Sequence, residues 1–295
     1  MPLESVPAMA GRARKGGYAI GYFESWNLES LYGVVEAAEQ ARAPIIIGFN
    51  GEFMSRPERL SAERLSWYGA LGRAAAVDAK IPCGFVFNEC ARDDWTRVAV
   101  TAGFNLVMPA DPAAAYDDYV GRVRDLVAYA RPRDVAVEAE LGELPAGAPG
   151  FSHGVGQKTD PGSAQAFVTA TGVDLLAVSV GNVHVMLSGR KALDIERLTA
   201  IRRAVDIPLV LHGGTGITEE SLRKAIAIGV AKVNYGTGLK QRYLGAVRRA
   251  LATDEQNPHA LLGMGGPDDV MVAGRRAVRE AVLERLPALG SAGRA

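Results

Sequence analysis

Short apolar runs alternate with amphipathic helical patterns from about residue 18 to residue 250, and this alternation restricts the fold more than any other feature of the chain. Eight strand-like runs stand out, near Tyr18–Tyr22, Pro44–Phe49, Pro82–Phe87, Leu106–Met108, Val135–Glu138, Leu175–Val178, Leu209–Leu211 and Lys232–Asn234. Helical patterns begin after them near Leu28, Ala62, Trp95, Ala113, Gly162, Ile195, Thr218 and Gly238. Eight such units predict an α/β fold of the (β/α)8 TIM-barrel type, with active-site residues at the carboxyl ends of the strands; a doubly wound sheet is the alternative.

A helix over Leu3–Arg14 is expected to cap the lower end of the barrel. The barrel itself should occupy about 16–255 of the 295 residues, with a C-terminal helical extension over about 258–288, all in one domain. The last helix, expected over Asp268–Arg285 after a glycine-rich break, has no further strand to cover, which suggests a homodimer or homotetramer. Between Gly142 and Gly162 periodicity is lost and glycine and proline recur, as in a lid over the barrel mouth.

Lys plus Arg and Asp plus Glu both number 33, so nothing favours a nucleic acid or an anionic membrane as partner, and a small molecule is expected. The two cysteines, Cys83 and Cys90, flank one strand and read as reduced packing residues. No signal-length or membrane-length apolar segment occurs, so a cytoplasmic location is expected.

The residues at or just past the strand ends form the expected site wall: Glu24, Asn50, Asn88, Glu89, Glu138, Glu140, His184, His212 and Asn234. Any one of them alone reads as a polar group satisfied at the barrel rim. Two histidines on neighbouring units are different, and Glu89, His184 and His212 together would make a two-histidine, one-carboxylate metal site with open positions. Two glycine-rich turns, Gly213-Gly214-Thr215-Gly216 and Asn234-Tyr235-Gly236-Thr237-Gly238, end adjacent strands and open helices. Bare backbone N–H groups in such turns can hold a phosphate, and a bulky residue at Gly214 is expected to block its approach.

Taken as an ordered set, these motifs resemble the class II, metal-dependent fructose-bisphosphate and tagatose-bisphosphate aldolases. The matching stretches are Lys15-Gly16-Gly17-Tyr18-Ala19, Asn27-Leu28-Glu29, Val137-Glu138-Ala139-Glu140-Leu141-Gly142, Thr159-Asp160-Pro161, Gly172 to Val178 with Gly181 and His184, the His212 loop, and Lys232-Val233-Asn234. The resemblance implies a TIM barrel, a divalent metal, and aldol cleavage of a ketose phosphate by way of an enediolate. It places two of the zinc histidines at His184 and His212, and phosphate contacts at Gly181, Gly213, Thr215, Asn234 and Thr237, with Gly214 and Gly236 in the same turns.

The departures lie at the reacting centre. The family's run His-x-Asp-His is Val86-Phe87-Asn88-Glu89 here, so the proton-transferring aspartate is Asn88 and one zinc histidine is Glu89. An asparagine cannot shuttle a proton at neutral pH. Glu24, Glu140 and His153, in that order, are the candidate proton carriers in its place. Glu24 and Asn50 replace the family's asparagine and serine after the first two strands, Val185 replaces its glycine after His184, Ser188 replaces a lysine, and the lid offers Ser152, His153 and Lys158 where the family has an acidic pair. A carboxylate among the ligands lowers the Lewis acidity of the metal, so zinc is expected first and manganese or iron become alternatives. The function implied is a carbon–carbon lyase acting on a phosphorylated or otherwise anionic ketose or polyol; a sugar-phosphate isomerase or epimerase, and a binding barrel without catalysis, are the alternatives.

Overall fold

The structure, a computed structural model, describes residues 2–111, 114–142, 144–145 and 156–295. In chain order it contains α1 (Val6–Gly16), β1 (Ile20–Glu24), α2 (Leu28–Ala41), β2 (Ile45–Asn50), α3 (Gly51–Met54), α4 (Leu65–Asp78), β3 (Cys83–Cys90), α5 (Asp93–Ala102), β4 (Leu106–Pro109), α6 (Tyr116–Ala130) and β5 (Ala136–Leu141). There follow α7 (Pro161–Thr171), β6 (Leu175–Val178), α8 (Ile195–Ala204), β7 (Leu209–Leu211), α9 (Glu219–Ile228), β8 (Val230–Tyr235), α10 (Thr237–Ala250), α11 (Pro258–Leu261), α12 (Val270–Leu283) and α13 (Leu286–Leu289).

The eight strands are parallel, pair in sequence order and close, β8 returning to β1 through the register Gly21↔Val233 and Tyr22↔Asn234. This is the (β/α)8 barrel. Its strands are largely apolar because helices cover their outer face while side chains fill the interior, and the exceptions, among them those on β3, β5 and β8, are the polar residues of the upper barrel. Helix starts follow local chemistry: Asn27 and Ser30 form a reciprocal cap on α2, and Asp160 and Thr218 cap α7 and α9.

The expected N-terminal cap is present as α1. Its Val6, Met9, Ala10 and Ala13 pack against the inward residues Ile20, Ile46, Val86, Leu175 and Val210, which closes the lower end of the barrel with apolar contacts. Both cysteines lie buried and unpaired on β3.

Three expectations need correction. The C-terminal helix α12 does have elements of its own chain to pack on: Arg275 pairs with Glu36 of α2, and Gly274 lies against Tyr243 of α10 at a distance that leaves no room for a Cβ. The argument from that helix to an oligomer therefore fails. The helix expected from Ala62 begins at Leu65, and a short helix, α3, precedes it because the Asn50 side chain accepts the N–H of Phe53. Most of the proposed lid lies outside the described residues; at its edges, Lys158 bonds Asp194, and the carbonyl of Pro145 accepts the N–H of His184.

The third correction concerns β3, which runs to Cys90, three residues beyond its expected end, and breaks register with β4 between Phe87 and Cys90. Successive strand residues normally point to opposite faces. Here Glu89 takes φ 53°, and Asn88 and Glu89 both face the barrel mouth. An extra residue of backbone at this bulge delivers two polar side chains to one place.

Candidate active site

Glu89 is the hub of the upper barrel. One of its carboxylate oxygens, Oε1, lies 3.0 Å from His184 Nε2, in the segment after β6, and 3.0 Å from His212 Nδ1, one residue past β7. The other, Oε2, accepts the Nδ2 of Asn50 at 2.7 Å, which fixes the carboxylate plane. The two imidazoles are nearly parallel, with centroids 5.9 Å apart, and donor atoms of all three residues fall within 4.8 Å of one another. Asn182 anchors the backbone beneath, its Nδ2 donating to the carbonyls of Val178 and His212.

Below this trio is a buried ion pair that local sequence patterns did not reveal. His212 Nε2 is 3.0 Å from Glu138 Oε1, and Lys232 Nζ is 2.9 Å from Glu138 Oε2 and 2.7 Å from Asn234 Oδ1. Glu138, Lys232 and His212 are all fully buried, and Lys232 also faces the ring of Tyr22 at 5.2 Å. Alternate residues of one strand share a face, so Glu138 presents to the interior together with Glu140, and Lys232 with Asn234. A lysine inside an otherwise apolar strand was the available signal.

The electrostatics follow from this density of carboxylates. Burial alone would lower the His212 pKa, but Glu140, Glu138 and Glu89 raise it to about 10; His184, likewise opposed by burial, is raised by Glu89 and Glu140 to about 9. Glu89 is held well below the usual carboxylate range, since the two imidazoles outweigh its burial. Glu140 goes the other way, raised chiefly by burial with help from Glu89 and Glu138.

These residues fit a divalent cation. His212 Nδ1 is buried and, despite its nearness to Glu89, has no aligned hydrogen-bond partner; Glu140 Oε1, 3.6 Å from that nitrogen, is also buried and unpartnered. Buried polar atoms without partners are costly unless something else satisfies them. Without an ion, protons held by the two imidazoles offset the carboxylates; a divalent ion would take the place of those protons, with neutral imidazoles as ligands and Glu89, Glu138 and Glu140 against Lys232 leaving two negative charges for it to balance. Glu138 accepts from the ring nitrogen of His212 that faces away from the trio, the contact by which metal-bound histidines are usually held in one tautomer.

A cavity of ≈ 270 Å³ opens beside the trio and is lined by Glu24, Asn50, Asn88, Glu89, His184, Gly213, Thr215, Asn234, Gly236 and Thr237, among others. Most of the residues singled out from sequence thus meet in one place. Gly181 and Gly214 are not among the lining residues; a Cβ on Gly214 would fall 2.7 Å from Val233 and 2.8 Å from the Tyr235 ring, so packing against β8 by itself requires a glycine here. His153 and Ser152 lie outside the described residues. Asn88 accepts a long contact of 3.4 Å from Asn234 Nδ2. Lys240, on the first turn of α10, was not anticipated; it lines the cavity and donates to Glu24. Val185, also in the lining, has φ 49°, a left-handed conformation that a β-branched residue rarely takes.

The family model for class-II fructose-bisphosphate aldolase matches residues 4–294. Among solved structures, the chain is similar to the YdjI aldolase from Escherichia coli K12, at 30% identity over 99% of both chains with a TM-score of 0.80. It is also similar in fold to the fructose-bisphosphate aldolase of Campylobacter jejuni, at 21% identity over 97% of this chain and 93% of that one, with a TM-score of 0.74.

Proposed function

The chain belongs to the class-II fructose-bisphosphate aldolase family and is an aldolase-like lyase, and we propose that it works with one divalent metal on a ketose or related polyol of the sugar-phosphate class or an anionic analogue of it. The observation that carries this reading is the convergence of Glu89, His184 and His212 within 4.8 Å, at the mouth of a cavity rimmed by two glycine-rich turns. Zinc is the first candidate, manganese or iron the next.

When bound, the ion supplies electrophilic stabilisation of the substrate oxygen that gathers negative charge as the carbon–carbon bond breaks. The chain's own residues do the rest. Glu138 and Lys232 hold His212 in one tautomer and one orientation. Asn50 fixes Glu89. Asn88 can orient a substrate hydroxyl by hydrogen bonding but cannot take its proton. Cleavage needs a base to remove that hydroxyl proton; the carbon–carbon bond then breaks, the hydroxyl carbon leaves as an aldehyde, and the electron pair left on the ketose fragment is later protonated. Of the nearby carboxyls, Glu24 lines the cavity and is engaged by Lys240, whereas Glu140 lies outside the cavity lining with a buried, unpartnered oxygen 3.6 Å from His212 Nδ1.

The test begins with elemental analysis of the purified protein and of His184→Ala and His212→Ala. One divalent ion per chain is expected in the unmodified protein and none in the variants; metal retained in both variants, or absent from the unmodified protein, overturns the reading. The metal-loaded protein is then incubated with ketoses and ketose phosphates under aldehyde trapping. Trapped aldehyde supports the lyase, and an isomeric ketose or aldose without a fragment would support an isomerase instead. Fructose-bisphosphate itself should be cleaved poorly, since loss of a general acid/base group costs roughly two to four powers of ten in rate.

A further inference from the structure

Glu24 is the last residue of β1, and the pairing of β1 with β8 places it beside the turn that leads from β8 into α10. Its side chain is only 10% exposed. One carboxylate oxygen accepts the Nζ of Lys240, on the first turn of α10. The other oxygen occupies the space over Gly236, where a Cβ would fall 2.2 Å from Oε2. Lys240 is partly buried, its Nζ 4.2 Å from the centroid of the Phe53 ring and 5.7 Å from that of Trp26.

Three features here attract an anion: the N-terminus of a 14-residue helix, a lysine ammonium, and a glycine without a side chain to keep ligands away from the backbone. The anion present is the protein's own. No second residue shares the Glu24 carboxylate, and Lys240 makes no other ion pair among the described residues. The attraction is therefore spent inside the chain, and a phosphate dianion entering this turn would meet a carboxylate held in place by a fixed lysine. A hydroxyl group would not, because it can donate to Glu24.

Resting on the lyase reading above, we propose that Glu24 is the specificity-determining residue of this cavity, filling the anion-binding turn at Gly236 and Lys240 so that the substrate carries a neutral hydroxyl at that end and any phosphate or carboxylate at the other. The ketose fragment seated there is of the dihydroxyacetone kind and not its phosphate.

Isothermal titration of inorganic phosphate, dihydroxyacetone phosphate and dihydroxyacetone into the protein as purified tests this without measuring cleavage, so it reads independently of whether the lyase reading holds. The unmodified protein should bind both phosphates only weakly. Glu24→Asn, which removes the charge and shortens the side chain, should bind them at least ten-fold more tightly, and Glu24→Gln should give a smaller gain in the same direction. Adding Lys240→Met to Glu24→Asn should abolish the gain; any binding of phosphate at the metal is common to all variants and cancels in the comparison. Melting curves of each variant establish that it is folded, and Glu24→Gln keeps the test alive if Glu24→Asn is not. Micromolar binding of phosphate by the unmodified protein that Lys240→Met abolishes overturns the proposal, and so does a failure of both Glu24 variants to tighten phosphate binding.

Discussion

Replacing Lys232 by methionine removes one half of the ion pair at the centre of the barrel while keeping most of its volume. Lys232 and Glu138 are both fully buried, with Nζ 2.9 Å from Glu138 Oε2 and 2.7 Å from Asn234 Oδ1, so the variant leaves a carboxylate in the interior with His212 as its one remaining polar neighbour among the described contacts. Breaking a buried pair costs about 3–5 kcal/mol where the remaining charge is uncompensated, and this is the upper range here because the His212 imidazole stays 3.0 Å from Glu138. At roughly 2–4 °C per kcal/mol for a chain of this order of size, the melting temperature should fall by about 6–20 °C. The measurement is urea and thermal unfolding of the chelator-treated protein. The double variant Lys232→Met with Glu138→Gln removes the stranded charge, so it should lose less stability than the sum of the two single variants, with a coupling of about 1–3 kcal/mol. A loss below about 1 kcal/mol for Lys232→Met, or strict additivity in the double variant, would refute the claim that the pair is electrostatically coupled in a dry interior.

Two further outcomes are expected. Val185→Gly should relieve a left-handed backbone position that costs a β-branched residue about 1–3 kcal/mol, with little packing lost because Val185 is only half-buried; thermal unfolding should show a gain of about 1 kcal/mol, and a net loss would contradict the strain argument. Asp269 has its carboxyl pKa lowered below the ordinary 3.8, chiefly by the backbone N–H of Gly265 and also by those of Met271 and Gly263. A depressed native pKa stabilises the fold above the unfolded value and loses that contribution as pH falls through the native one. The segment before α12 should accordingly become sensitive to an acid-active protease below about pH 4, and Asp269→Asn should already be sensitive at neutral pH.

What could be read from the sequence, and what could not, divides along the range of the interactions involved. Strands β6 and β7 fall where continuous apolar runs placed them, since burial on both faces leaves a local signature, and α2 begins at Leu28 because Asn27 and Ser30 cap it within four residues. The strand-end residues Glu89, His184 and His212 could be named because a parallel barrel brings strand ends together. The end of β3 was misjudged because a bulge is a change of backbone direction without a composition of its own. Lys232 and Lys240 were passed over for another reason: their partners, Glu138 and Glu24, are 94 and 216 residues away in the chain, and no local period links them. The packing of Gly214 against Val233 and Tyr235 was not legible, because a glycine required by packing and one required by a phosphate look the same in sequence.

The position of α12 has a consequence for how this chain comes off the ribosome. The helix lies across α2 and α10, which belong to the first and last strand–helix units, and near it the N–H of Ala19 bonds the carbonyl of Leu289 while that of Gly293 bonds Ala41. A ring of eight strands has no natural beginning, yet its seam lies between β1 and β8. Synthesis delivers those two strands about two hundred residues apart and the latch over their helices later still. A nascent chain paused before residue 270 would hold all eight strands and no clasp, leaving the outer faces of α2 and α10 open to water and to chaperones.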